Sequence, residues 1–400
     1  MKHLFLILLV LLLGFGAMAQ NERSILKNAD KMIAKRQYES AFQLLEDFDP
    51  TNDRVEVLLK KEDIMLNYFV QSINHQVFSL RNLEKGETLN SARANFQQGL
   101  LYPFDADSLL QRLLAREPGN CRLLAGYAQY YNALLNDYNY ELWMEYIDSA
   151  CLATLTKAAS GPCANSDACY LVGLYYNLND DLVSAMDYYR QAVLLSDTCW
   201  NAIFNLGVLE YDMGQQPQAV EHLRRAYHGY PVSSAHVFKA DAARALGIIY
   251  TDHIYNPDSA LYYLQKAAET DSSNFNNHAF LLRHHLLQGS SQAPALLRKC
   301  WNMALEGESS FSDAQYTIGL CVNNGHTNTA TTFLKQTLAG STQNYERALC
   351  NLFLGQLSED TSEAVDYLQK SIKLFQIEGA PDSFISSIRE IIEELQTANN

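Results

Sequence analysis

The sequence is short of basic side chains. Lysine and arginine together number 30 against 45 aspartates and glutamates, a formal charge of −15 over 400 residues. Nucleic acid and anionic lipid both call for clustered Lys and Arg, so neither is expected as the main partner. Catalytic signatures are missing as well. Beyond residue 19 there is no GxSxG elbow, no HExxH, no phosphate-binding glycine loop and no dinucleotide fingerprint, so the chain is expected not to be an enzyme. The eight cysteines include no CxxC pair, which leaves no redox or zinc motif. No cofactor and no metal are expected. Period-two alternation never runs long enough to predict a strand, and the mature chain is expected to be almost all helical.

Long apolar runs are scarce too, apart from Leu4 to Leu13, which follows Lys2 and precedes Ala17-Met18-Ala19. That order predicts a secretory signal cleaved after Ala19. The run is too short to span a bilayer comfortably, and no cysteine stands at the cleavage point to carry a lipid. An exported protein follows, periplasmic or secreted from a bacterium, with no transmembrane segment in the mature chain. Lys2 is one of the 30 basic side chains, so its removal leaves 29 against 45 and a formal charge of −16.

Cysteine is far below the density of a disulfide-built scaffold, yet an oxidising compartment permits bonds. Cys151, Cys163, Cys169 and Cys199 lie close together in the sequence. A bridge from Cys163 to Cys169 or Cys199 is expected. Cys300, Cys321 and Cys350 fall within helical apolar patterns, where a thiol acts as a small buried hydrophobe.

What is abundant is a repeated pattern. Residues 166 to 233 hold two copies, DACYLVGLYYNLNDDLVSAMDYYRQAVLLSD and NAIFNLGVLEYDMGQQPQAVEHLRRAYHGYP, in register on Gly173 and Gly207, 34 residues apart. The alignment sets Val172 over Leu206, Ala185 over Ala219, Tyr189 over Leu223 and Ala192 over Ala226. This resembles the tetratricopeptide repeat, in which a small residue lets helix A approach its neighbour, alanines mark the close crossing in helix B, and a proline, Pro231 here, stops the second helix. The resemblance implies an all-α, helical-repeat, right-handed superhelical solenoid of about eight to ten helix pairs.

Taken in order, residues 1–19 are the signal peptide and 20–104 an N-terminal helical region with one weak repeat and a diverged insertion. The weak repeat keeps the spacing at Tyr38, Ala41, Leu45 and Phe48. Within 53–101, Leu58, Met65, Phe69, Ile73 and Val77 fit one face of a long amphipathic helix, and SARANFQQGLLYP resumes helix as far as Pro103. Residues 105–272 are the core repeats. There Asp105 is placed to cap a helix, Gly126 stands where Gly173 does, and Leu246, Gly247, Ala260, Leu264 and Ala267 form a further copy introduced by an Asn256 cap and Pro257. Degenerate repeats occupy 273–400, with Gly319 and Gly355 still marking the small position. A capping helix ends them, with Ile385, Ile388, Ile392 and Leu395 on one stripe.

Candidate chemistry is thin. His278 and His285 share a helical face but stand two turns, roughly 10 Å, apart, too far to share one metal. Asp180 and Asp181 sit in a turn, where Asp belongs for local backbone bonding. Two tyrosine clusters stand out: Tyr127, Tyr130, Tyr131, Tyr138, Tyr140 and Tyr146 with Trp143, and then Tyr170, Tyr175, Tyr176, Tyr188 and Tyr189. Most suit packing, and the remainder suit a binding surface. The resemblance implies a concave wall lined by helix A positions, here Tyr170, Asn177, Asn201, Phe204, Asn205, Tyr211, Arg244 and Thr251. Asp167 and Leu174 stand where a carboxylate clamp would need basic or amide groups, so capture of a chain terminus is not expected. The leading reading is a non-enzymatic scaffold binding a protein or extended peptide, in an envelope or secretion assembly. A surface or periplasmic glycan binder is the alternative, and a helical enzyme acting on cell-wall or surface polymer the third.

Overall fold

A computed structural model of the chain describes residues 21–137, 143–145, 147–231 and 236–397. The expected signal peptide and the tyrosines at 138, 140 and 146 lie outside the described residues. The chain divides into two compact units, residues 1–202 and 203–400. Both are built from helices, and among the described residues a single three-stranded sheet interrupts the first.

In the first unit, helix α1 spans residues 21–34 and α2 Tyr38–Phe48. Tyr38, Ala41, Phe42 and Leu45 are buried on α2, so the weak repeat is a helix pair. Helix α3 runs Val55–Asn67. Here the sequence expectation fails, because α3 stops at Asn67 and does not continue through Ile73 and Val77. Instead Gln71–Ile73 (β1) and Val77–Ser79 (β2) pair antiparallel, and Leu101–Pro103 (β3) joins β2. Asn74 and His75, with φ of 51° and 52°, make the turn. Two successive residues of positive φ match the twist of a tight hairpin, and asparagine tolerates that region. Nor is the stretch before Pro103 helical throughout, since α4 covers only Leu89–Ala94.

The sheet survives because it packs on α2. The rings of Tyr102 and Phe104 meet Phe42 edge-on at 5.2 and 6.2 Å, and Tyr102 donates to Glu39 Oε1 at 2.9 Å. Phe69, which the helical reading assigned to the stripe, meets the Phe78 ring at 5.9 Å. A buried lysine locks the preceding turn. Lys61 is wholly buried, and its ammonium donates to Glu46 Oε2, the Asp49 carbonyl and Asn52 Oδ1 at 2.7, 2.6 and 2.7 Å. Three acceptors match its three N–H groups.

Helices α5 (Ala106–Arg116), α6 (Cys121–Asp137), α7 (Ser149–Ala158), α8 (Ser166–Leu178) and α9 (Leu182–Leu195) complete this unit. The Asp105 cap falls where expected, accepting from Ser108 N at 3.2 Å, and Asp181, expected to bond its local backbone, accepts from Ser184 N at 3.1 Å. The disulfide expectation needs correction. Cys163 is bonded to Cys121, 42 residues away, with Cα atoms 4.7 Å apart. The turn at Gly161, φ +62°, and the short 3-10 helix Gly161–Cys163 bring Cys163 against the start of α6. Cys169 points inward, is buried, and donates to the Ala159 carbonyl.

The second unit holds most of α10 (Trp200–Asp212), then α11 (Gln216–Gly229), α12 (His236–Asp252), α13 (Pro257–Thr270), α14 (Phe275–Leu287) and α15 (Ala293–Glu306). It continues through α16 (Ser310–Asn323), α17 (Thr327–Gly340), α18 (Asn344–Leu357), α19 (Thr361–Ile377) and α20 (Asp382–Thr397). Asn256 caps α13 by accepting from Ser259 N at 3.0 Å, with Pro257 at its first position. The small positions have a clear cause. A methyl group on Gly207, Gly247 or Gly355 would stand 2.9, 2.5 or 2.7 Å from the Cγ of Leu223, Leu264 or Leu368 in the partner helix. In the first unit Gly173 faces the Tyr189 ring in the same way, at 2.8 Å.

Two glycines depart from the pattern. Gly319 has nothing within 4 Å of the place its side chain would take, and Gly126 faces Leu59 and Glu62 of α3. Further along, Trp301 is fully buried and meets Phe333 edge-on at 5.6 Å, while its indole N–H donates to Glu346 at 2.9 Å. Cys300, Cys321 and Cys350 are buried, and burial pushes their thiols up to about 12, 11 and 12. Ile385, Ile388 and Ile392 of α20 are buried, and Leu395 packs at the margin of the same core. Its charged residues Arg389, Glu390, Glu393 and Glu394 are exposed.

Candidate binding groove

Helix α10 offers two faces. One, through Leu206, Gly207 and Leu209, is buried. The other carries Phe204, Asn205, Val208, Tyr211 and Asp212, whose spacing keeps them on one side of the helix. Across from it α12 presents Asp241, Arg244, Ala245 and Ile248, again at intervals of three and four. With Leu223 of α11 these residues line a cavity of about 330 Å³.

Four of the eight residues expected from the sequence therefore come together: Phe204, Asn205, Tyr211 and Arg244. The other four lie elsewhere. Thr251, one turn beyond Gly247 on α12, donates its hydroxyl to the Gly247 carbonyl at 2.8 Å, which occupies it within the helix. Tyr170 belongs to the first unit and is 4% exposed, with its ring stacked on Tyr189 at 6.1 Å. It has no free face to offer a ligand. Asn177 and Asn201, also of the first unit, are half-buried.

Asp212 and Asp241 were not anticipated. Asp241 lies three residues before Arg244, a spacing that pairs side chains along a helix, and that pattern was the available signal. The two meet at 2.8 Å. Arg244 also donates to Asn277 Oδ1 at 2.8 Å, and Asn277 is held by the carbonyls of Ala267 and Asp271. The guanidinium is thus fixed by its own protein. Burial raises the Asp241 carboxyl above the usual range, and the Arg244 charge opposes this. Asp212 has no ion pair or hydrogen bond among the described residues, and burial raises it as well.

One turn along the wall, Tyr211 is hydrogen-bonded to His253 Nε2 at 3.3 Å, with the rings edge-on at 5.3 Å. Arg283 of α14 grips Asp252 with two bonds of 2.7 and 3.0 Å. Burial raises the Tyr211 hydroxyl, helped by the charges of Asp252 and Asp212 and opposed by Arg283. A larger cavity of about 500 Å³ lies along α15 and α17, where Arg298 is stacked over Phe333 at 4.3 Å. No three His, Cys, Asp or Glu side chains are grouped to hold a metal ion among the described residues. His278, His284 and His285 are buried within α14. No helix among the described residues is long and apolar enough to cross a membrane.

The helix pairs are tetratricopeptide-like, with a small residue of helix A against a leucine or tyrosine of helix B. No family model matches the chain, and no curated protein matches it. Among solved structures, a tetratricopeptide repeat protein from Parabacteroides merdae is 14% identical over 66% of this chain and 99% of its own, with a TM-score of 0.38. The pilF protein of Pseudomonas aeruginosa is 16% identical over 55% of this chain and 93% of its own, at 0.39. YrrB, described as a tetratricopeptide protein with an unusual peptide-binding site, is 16% identical over 55% and 91%, at 0.31.

Proposed function

We propose that this chain is an exported, non-enzymatic scaffold that holds a segment of another protein in the groove between α10 and α12. The observation that carries the reading is the cavity itself. Phe204, Val208, Tyr211 and Ile248 give it apolar and aromatic lining, and Asn205 stands among them. Few buried aromatic anchors and a correctly placed amide suffice to hold an extended backbone. Of the charged groups around it, Asp241 is committed to Arg244 and Asp252 to Arg283, which leaves only Asp212 without a partner among the described residues. Such pairing suits recognition better than proton transfer.

A protein occupant is favoured over a sugar by the tyrosines. Tyr127 lies against Tyr131 at 5.0 Å, Tyr176 on Tyr188 at 5.7 Å and Tyr250 on Tyr263 at 5.8 Å. Rings packed against each other have fewer faces left for sugar rings. Export rests on the first 19 residues, and an envelope or secretion assembly is the setting it suggests. Mass spectrometry of the N-terminus of the mature protein should find Gln20 first. The test of the groove is affinity purification of the tagged mature protein from cell envelopes after mild cross-linking, beside a Phe204→Ala, Tyr211→Ala variant. A protein recovered with the wild type and lost with the variant supports the groove. Equal recovery from both refutes it.

A further inference from the structure

The lining of the α10–α12 groove holds two carboxylates and one guanidinium. Arg244 is spoken for, since Asp241 and Asn277 each hold it at 2.8 Å. Asp212 is left alone, with no ion pair or hydrogen bond among the described residues. The adjoining charges, Asp252 and Arg283, cancel in their bidentate pair.

An occupant that covers the cavity therefore covers a bare carboxylate. A neutral segment would strip water from Asp212 and return nothing, at a cost of a few kcal/mol for a fully covered charge. An acidic segment would add repulsion. A segment carrying a cation would convert the same carboxylate into a charge-assisted bond. The cavity suits a long cationic side chain in its other walls as well, because Val208 and Ile248 can cover an aliphatic stem and the Phe204 and Tyr211 rings attract a cation.

We propose that the segment bound in this groove carries a lysine or arginine, seated with its stem on Val208 and Ile248 and its charged head at Asp212. This deepens the scaffold reading and rests on it. A carboxylate-bearing terminus is excluded as occupant, because the one guanidinium present is already held by Asp241 and Asn277. The formal charge of −15 adds attraction at long range, which speeds encounter with a basic partner and weakens with salt.

The test is panning a phage-displayed pool of random decamers on the full mature chain. It runs in parallel on Asp212→Asn, Asp212→Lys, Phe204→Ala and, as a control for overall acidity, Glu221→Gln on the exposed side of α11. Circular dichroism of each variant confirms its fold. The wild type and Glu221→Gln should enrich peptides with Lys or Arg at one position. That enrichment should vanish with Asp212→Asn and reverse toward Asp or Glu with Asp212→Lys. In fluorescence polarisation, the best wild-type peptide should bind Asp212→Asn about tenfold more weakly. Peptides that need Phe204 but show no basic preference, or keep it in Asp212→Asn, overturn the charge inference and leave the groove standing. An absence of any peptide that depends on Phe204 overturns the groove reading, and the charge inference with it.

Discussion

Replacing Gly247 and Gly319 by alanine should move stability in opposite directions, although both glycines occupy the small position of a first helix. Inside a helix, alanine is favoured over glycine by about 1 kcal/mol. At Gly319 nothing opposes that gain, since the added methyl meets no atom within 4 Å. Gly319→Ala should stabilise by up to about 1 kcal/mol. At Gly247 the methyl would stand 2.5 Å from Leu264 Cγ and 3.3 Å from Leu264 N, against an ordinary carbon contact of about 3.5–4.0 Å. Leu264 is 1% exposed, so its branch carbon has nowhere to go and α13 itself must shift. Overpacking of this kind costs about 1–3 kcal/mol. Gly247→Ala should therefore be destabilising by up to about 2 kcal/mol once the helical gain is subtracted. Long repeat arrays need not unfold in one step. The assay is accordingly hydrogen exchange of the α12 and α13 amides against those of α16 and α17, supported by urea melts. Faster exchange in α12 and α13 for Gly247→Ala, and slower or unchanged exchange in α16 and α17 for Gly319→Ala, is the expected result. Equal effects of the same sign at both sites would refute the close-approach argument.

Two further outcomes follow from the first unit. The Cys121–Cys163 bridge closes a 42-residue separation, for which the chain-entropy relation gives about 4 kcal/mol; a Cys121→Ser, Cys163→Ser variant should melt earlier than oxidised wild type and lose its sensitivity to reductant. Glu62 is 2% exposed, its Oε1 has no hydrogen bond, and burial holds its carboxyl well above 4.5. Since the folded protein then binds that proton more tightly, the contribution of Glu62 is fully present below the unfolded value and is lost as pH rises through the folded one. Glu62→Gln should remove this loss, so its stability advantage should grow with pH in melts taken from pH 4 to 8. An advantage that stays flat across that range would count against a neutral Glu62.

Local signals were legible in the sequence to the degree that they were local. The Asp105, Asp181 and Asn256 side chains act over three residues, each accepting from the backbone N–H three positions on. The register that set Tyr189 over Leu223 also holds, because the two side chains do the same work against Gly173 and Gly207. The hairpin was misread because Phe69, Ile73 and Val77 satisfy a helical period, whereas Ile73 and Val77 face each other as a cross-strand pair. Asn74-His75 carried the turn, and an Asn-His pair is a weaker mark than Asn-Gly. In the groove, Phe204, Asn205, Tyr211 and Arg244 were legible because they follow from the face of a helix. Tyr170 was not, because Tyr189 supplies its cover from the next helix.

By itself the sequence determined the helical period, the caps at Asp105 and Asn256 and the register of the clear repeats, since each depends on residues within a turn or on one repeat length. Tertiary structure alone decided which glycine is crowded, which cysteine Cys163 meets and which charges at the groove are already paired. Those depend on distances between segments far apart in the chain. Asp241 lies within one turn of Arg244 on the same helix, but Asn277 reaches the guanidinium only when α12 and α14 lie side by side.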